Sequence, residues 1–402
     1  MAAIERATIR KILDSRGHAT VEVDLQADGR FRVAAPSGAS TGAHEAQAFP
    51  QGGVEAALRL FAKDVAPRLR GRNVADQEGL DHLLREIDGT PNFSRIGGDV
   101  AVAVSLANAK AAASAAGQPL YRFLGGSDAR RMPFPFGNVI GGGRHAVGGT
   151  TIQEFLVVSQ GPTVVENVFA NARVHHLLKD ALAKKSPGVS LGRGDEGAWV
   201  AKLDDEEALG LVADACEAVE RDVGFPVRPG MDLAASEFFS EGRYRYRRRT
   251  LTRDKQIEFV ERLVTDYRVY SLEDPLDEED FEGFAQLTEA IGKTCVIIGD
   301  DIFCTNVARL QEGIAAGAGN AILIKPNQIG TLTETRATVE MARSAGYATI
   351  VSHRSGETTD DTIAHLAVAF GSLGIKTGTV GGERTAKLNE LIRIEEELHE
   401  GT

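Results

Sequence analysis

Six polar residues in the last two-thirds of the chain each close a short apolar run. Residues 226–231 precede Asp232, 269–272 precede Glu273, 295–299 precede Asp300, 321–324 precede Lys325, 348–352 precede His353, and 374–375 precede Lys376. Three carboxylates held in one cavity would crowd negative charge, and without a counter-charge some would have to protonate. A hard divalent cation relieves that crowding, and an all-oxygen donor set suits Mg²⁺ better than zinc or copper. A lysine beside such a cation sits in a positive field that lowers its pKa, and a neutral lysine is a general base. The chemistry this assembles is removal of a proton α to a carboxylate, with the metal taking up the developing charge. A Schiff-base lysine is the other use of the residue, and the carboxylates count against it because that chemistry needs no metal. Read singly, each acid is a helix cap or an ion-pair partner; the metal reading rests on all three together with two lysines.

Something must bring these residues together. Their spacings are 41, 27, 25, 28 and 23 residues, and after the first, each gap fits one strand plus one helix. The helix opening at Thr331 shows the pattern, with Glu334 completing a capping box and Gly346 beyond the end. Alternating strands and helices imply a parallel sheet. Six such ends in succession, with no Gly-rich turn of the dinucleotide-binding type, favour a closed (β/α) barrel over an open sheet. In a barrel, the C-terminal strand ends converge on one mouth. The first third reads differently: strands at 9–13, 19–25 and 30–33, a turn at Asp28-Gly29, and an Ala-rich helix over 100–116. Gly125 to Asp128, followed by Pro133 and Pro135, reads as a domain junction.

Composition sets the limits. The 402 residues are 43% hydrophobic and carry 45 basic against 57 acidic side chains, a net charge of −12. That is ample for a large core and unfavourable for binding a phosphate backbone, so no nucleic-acid partner is expected. Cys216, Cys295 and Cys304 are too few and too scattered for a disulfide framework or a zinc site. No signal peptide and no stretch of ~20 apolar residues is found, so a soluble cytoplasmic protein with no membrane association is expected.

Two glycine-rich segments supply candidate lids. Gly141 to His145 leads on to Gln153-Glu154-Phe155, and Gly192 to Gly197 sets Asp195 and Glu196 in a loop that could close over a ligand. Ser352-His353-Arg354-Ser355-Gly356 puts a hydroxyl and a guanidinium where a phosphate could bind. With Asp14-Ser15-Arg16-Gly17, the loop 36–42, Ser236-Glu237-Phe238, Glu273-Asp274-Pro275, Gly299-Asp300-Asp301, the run 327–331 and Ile375-Lys376-Thr377-Gly378, these motifs follow in order along nearly the whole chain. In this the sequence resembles the enolase (phosphopyruvate hydratase) family.

The resemblance implies an α/β fold: a smaller α+β N-terminal lid domain over 1–125, followed by an enolase-type (β/α)8 barrel over 133–402. It implies dehydration of 2-phosphoglycerate to phosphoenolpyruvate with two Mg²⁺ ions, one conformational and one substrate-linked. Asp232, Glu273 and Asp300 match the ligands of the first ion, and Ser40 matches a ligand of the second. Lys325 matches the base for the C2 proton, and Glu196 matches the acid for the C3 hydroxyl, with Glu154 beside it. His145 and His353 match active-site histidines. Lys376 and Gln153 match substrate contacts, and Arg354 and Ser355 match phosphate contacts. The resemblance also implies a homodimer or octamer.

The chain departs from the family pattern around Ala48, at Arg144 where serine is common, and at Ala198-Trp199-Val200-Ala201 after the acid loop. These changes beside active-site motifs leave a second reading open. It is a paralogue for another phosphorylated or phosphonylated three-carbon acid, such as carboxyphosphonoenolpyruvate synthase in phosphonate biosynthesis, with Arg144 and Trp199 recharging or enlarging the pocket.

Overall fold

A computed structural model describes residues 2–38, 42–146, 148–185, 188 and 190–400. The N-terminal part opens with three antiparallel strands, Arg6–Leu13, Ala19–Gln26 and Arg30–Ala34. The second turn pivots on Asp28, whose φ of 50° lies in the left-handed region that Asp tolerates. Val21, Val23 and Leu25 are buried on one face of this sheet, as strand alternation requires. Against the sheet lies the helix Gly98–Ala115. Its alanines let it approach closely, and nearly its whole length is buried.

After a 3-10 turn at Gly126–Asp128 the chain enters the barrel. Its eight strands are Phe134–Gly141, Glu154–Ser159, Val227–Asp232, Ser271–Glu273, Val296–Gly299, Ala321–Ile324, Ala348–Ser352 and Gly374–Lys376. The last pairs with the first, Gly374 opposite Phe134, and closes the ring. Inside, Phe136, Leu156, Val158, Ile298, Ala321, Leu323 and Ile350 fill the interior, so the barrel is a packed core and not a pore.

The strand expectations for the last six barrel strands hold at every one of the polar ends. One expectation needs correcting: the sheet is not wholly parallel. Glu154–Ser159 runs antiparallel to both its neighbours. The link between the first two strands, residues 142–153, contains among its described residues only a 3-10 turn at Gly143–His145. A connection that short can join antiparallel strands but cannot make a parallel crossover. Glu154 therefore reaches the mouth from the start of its strand.

Thr331 caps its helix as expected, accepting from the Glu334 amide. All three cysteines are buried and unpaired. No single helix among the described residues is long and apolar enough to cross a membrane.

Candidate active site

Strand register builds the site. Glu273 and Glu154 lie directly opposite Asp232 on its two flanking strands, and Lys376 lies opposite Ser352. Side chains at such ends point into one buried cavity. It is lined by Glu154, Asp232, Asp300, Lys325 and Lys376, by His145, Gln153 and Glu196, and by His353, Arg354 and Ser355. Glu273 adjoins the cavity through Lys376, one of its lining residues. Ser40 lies outside the described residues, while Gly38 of the same loop reaches the cavity wall.

Two ammonium groups face the acids. Lys376 Nζ donates to Glu273 Oε2 at 2.8 Å and Asp232 Oδ2 at 2.9 Å, and lies 3.3 Å from Glu154 Oε1. Lys325 Nζ donates to Asp300 Oδ2, and Gln328 Nε2 holds the other Asp300 oxygen at 2.9 Å. Burial favours neutral amines, but these carboxylates outweigh it and raise both lysines above their ordinary range. That sign is opposite to the lowered value expected beside a cation, because among the protein's own groups the carboxylates supply the field.

The acids divide in turn. Burial and the Asp232 charge push Glu273 well up. Burial acts on Asp300 in the same direction, but Lys325 overrides it and holds that carboxyl down. Glu273 Oε1 is buried and has no hydrogen-bond partner among the described residues. A spare carboxyl oxygen within an all-oxygen set fits a hard cation such as Mg²⁺, and Asp232, Glu273 and Asp300 are the residues that would hold it.

In the same cavity, His145 Nδ1 lies 3.4 Å from Glu154 Oε1 and 3.6 Å from Glu196 Oε1. His353 Nε2 approaches Glu196 Oε1 at 3.4 Å, and Asn138 donates to Glu196 Oε2 at 3.1 Å. Burial and the Glu196 charge raise Glu154. Burial opposes ionisation of Glu196 as well, but the two histidines override it and hold that group well below the usual carboxylate range. The two carboxyls flanking His145 are thus driven in opposite directions.

Several contributors are not among the site residues expected from the sequence. Arg354 is gripped by Glu45 of the N-terminal part, Nη2 to its two oxygens at 3.1 and 2.9 Å, and by Asn327 Oδ1 at 2.9 Å. Behind Asn327 sits buried Asp99, whose pKa burial lifts to about 7. Asp274 accepts the amides of Asp300 and Asp301 at 3.0 and 2.8 Å and so orients the strand end that presents Asp300. The doubled acids Glu273-Asp274 and Asp300-Asp301 were the available hint, since the second of each pair must also find a partner.

The two departures lie away from the reacting groups. Arg144 pairs through Nε with Glu237 Oε2 at 2.5 Å, and its side chain is 57% exposed. Trp199 is buried, stacks on His175 at 4.7 Å between ring centres, and donates from Nε1 to His175 O at 2.9 Å. It borders an outer cleft with His176 and Lys179, not the barrel-mouth cavity.

Comparison with known proteins agrees with this architecture. A family model described as "Enolase, N-terminal domain" matches residues 4–124, and one described as "Enolase, C-terminal TIM barrel domain" matches residues 129–402. A protein of Methanothermobacter thermautotrophicus named "Enolase" is 54% identical over 98% of this chain and 97% of its own length. Proteins of the same name from Halobacterium salinarum and Picrophilus torridus are 52% and 48% identical, over 99% and 98% of this chain and 100% and 99% of theirs.

Proposed function

The chain belongs to the enolase family, and from that premise we propose that its barrel mouth dehydrates 2-phosphoglycerate to phosphoenolpyruvate and water, the carbon–oxygen lyase step of glycolysis. The observation that carries the reading is one buried cavity that holds two acid–base sets. Lys325 and Lys376 pair with the Asp232–Glu273–Asp300 acids, and Glu154 and Glu196 both approach His145.

Lys325, as its neutral amine, takes the C2 proton, and the electron pair left at C2 delocalises into the substrate carboxylate, which Lys376 steadies. When bound, Mg²⁺ supplies positive charge against that carboxylate and lowers the proton affinity of the neighbouring lysines. The pair then forms the C2–C3 double bond as the C3–O bond breaks. Glu196, in its protonated form and beside His145 and His353, gives its proton to the departing hydroxyl, which leaves as water. Removing solvent from such a cavity strengthens each of these interactions. Arg354 and Ser355 bind the phosphate, Gln153 contacts the substrate, and His353 orients Glu196.

Further parts of the reading rest on the family resemblance. They are a second, substrate-linked Mg²⁺ held by Ser40, a lid role for residues 1–125 over a catalytic barrel at 133–402, assembly as a homodimer or octamer, and a cytoplasmic location. The paralogue reading drew on Arg144 and Trp199, and since neither borders the cavity no observation favours it.

The test is phosphoenolpyruvate formation from 2-phosphoglycerate by the purified chain. Turnover that needs Mg²⁺, stops with EDTA and is lost in Lys325→Ala is expected. A folded protein with no turnover, or one that prefers a phosphonate analogue, would overturn the assignment.

A further inference from the structure

Arg384 stands in the first turn of the last helix, Gly382–Glu400, and is fully buried. Its two terminal nitrogens face no carboxylate. Nη2 donates to Ser355 O at 2.6 Å and Asp195 O at 3.0 Å, and Nη1 donates to Arg354 O at 2.6 Å. Nε lies 3.2 Å from Glu383 Oε1, and Nη1 also meets an imidazole, His353 Nδ1 at 2.8 Å.

That contact has only one chemical solution. A guanidinium carries five N–H donors and no acceptor, and it stays protonated in proteins. His353 Nδ1 must therefore offer its lone pair, and the ring proton must sit on Nε2. An imidazolium would aim a second N–H at a cation. Nε2 makes no other hydrogen bond among the described residues, and it faces Glu196 Oε1 at 3.4 Å. The charged groups facing His353 are Glu196, Arg384 and Glu357. Burial is the largest influence and holds its pKa down to about 4, with Arg384 acting in the same direction and the two acids against it.

We propose that Arg384 is a positioning residue: it fixes His353 as the neutral Nε2–H tautomer facing Glu196, and it ties the loop carrying Glu196 to the strand end carrying Arg354 and Ser355. Four acceptors on two separate segments converge on one side chain, so the acid and the anion-binding groups move as a unit. The consequence for turnover rests on Glu196 being the proton donor; the tautomer itself does not.

The test uses the full chain with Mg²⁺, labelled with ¹⁵N-histidine. His353 is assigned by difference against His353→Gln, and long-range ¹H–¹⁵N spectra are recorded from pH 7.5 to 5.5. The expected result is an unprotonated, pyridine-like Nδ1 and a protonated Nε2 throughout that range. A proton on Nδ1 anywhere in it would overturn the proposal, and this measurement needs no Arg384 variant to fold. Arg384→Met should raise the His353 titration by at least one pH unit and lower kcat tenfold or more with little change in KM. Arg384→Lys, which keeps a donor for Nδ1, should restore the tautomer and part of kcat. A folded Arg384→Met with the original tautomer and titration would also overturn it. A wild-type chain that has this tautomer but no turnover of 2-phosphoglycerate would overturn the functional reading and support the tautomer lock.

Discussion

Lys376 Nζ lies 2.8 Å from Glu273 Oε2 at the base of the barrel mouth. The same ammonium serves Asp232 and Glu154, so one buried cation faces three buried acids. Breaking a buried ion pair by removing one partner costs about 3–5 kcal/mol because the other charge is stranded. Lys376→Met should therefore melt well below the wild type in EDTA. A cation held by Asp232, Glu273 and Asp300 would take over the lost counter-charge, so Mg²⁺ should raise the melting temperature of the variant more than that of the wild type. Thermal melts with EDTA and with millimolar Mg²⁺ make the comparison. Equal Mg²⁺ shifts in both proteins would show that these acids do not ligate the metal.

Glu154 and Glu196 both approach His145 Nδ1, and their environments drive their proton affinities apart. If Lys325 acts at C2 and Glu196 at C3, the two steps can be separated. Glu196→Gln should lower kcat by about 10²–10⁴, the usual contribution of a general acid, while the C2 proton still exchanges with D₂O. Lys325→Ala should stop both turnover and exchange. Proton NMR of 2-phosphoglycerate in D₂O reads the exchange directly, and its loss in Glu196→Gln would remove the case for separate roles.

Much of this site can be read from the sequence, and the reason is local. Asp232, Glu273, Asp300 and Lys325 each end an apolar run, and a parallel strand exposes its last residue at the mouth. Glu154 escapes that rule because its strand is reversed, and only the short link 142–153 hints at it. Glu45 and Arg354 meet across 309 residues of chain, a contact that no pattern of spacing encodes. Arg384 is harder still: nothing in Gly381-Gly382-Glu383-Arg384 separates a buried anchor from an ordinary charged residue at a helix start. Arg144 and Trp199 mislead in the opposite way, since closeness in sequence to a catalytic motif does not fix which way a side chain points.

The last point is open to experiment. Arg144 spends its charge on Glu237, and Trp199 on the far side of its loop packs against His175. The double variant Arg144→Ser, Trp199→Phe should keep the same ratio of kcat/KM for 2-phosphoglycerate over a phosphonate analogue. Phenylalanine retains the stacking surface but leaves the His175 carbonyl without its indole donor. That carbonyl keeps its helical partner, so the loss should cost about 0.5–1.5 kcal/mol of stability, the net contribution of one hydrogen bond. Urea unfolding and the substrate comparison together separate packing from specificity, and a changed substrate ratio would return both residues to the active site.

His175 gives the chain a pH dependence of its own. Its Nε2 lies 3.0 Å from Gly197 O, directly after Glu196, so Nε2 carries the proton and donates; Nδ1 is buried without a partner. Burial is the main cause that lowers its pKa from 6.5 to about 4. The unfolded chain therefore binds a proton between these values that the folded chain refuses. The associated stability is fully present above pH 6.5, falls as the pH drops toward 4, and changes no further below that. His175→Gln keeps an N–H donor for Gly197 but cannot titrate. Its stability should decline less steeply through this window, by up to one proton, or about 1.4 kcal/mol per pH unit. Urea unfolding at pH 7.5, 6 and 5 compares the two slopes. Parallel curves would mean that the His175 ring takes up its proton in the folded state as readily as in the unfolded one, and so is not the buried neutral donor that anchors the Glu196 loop.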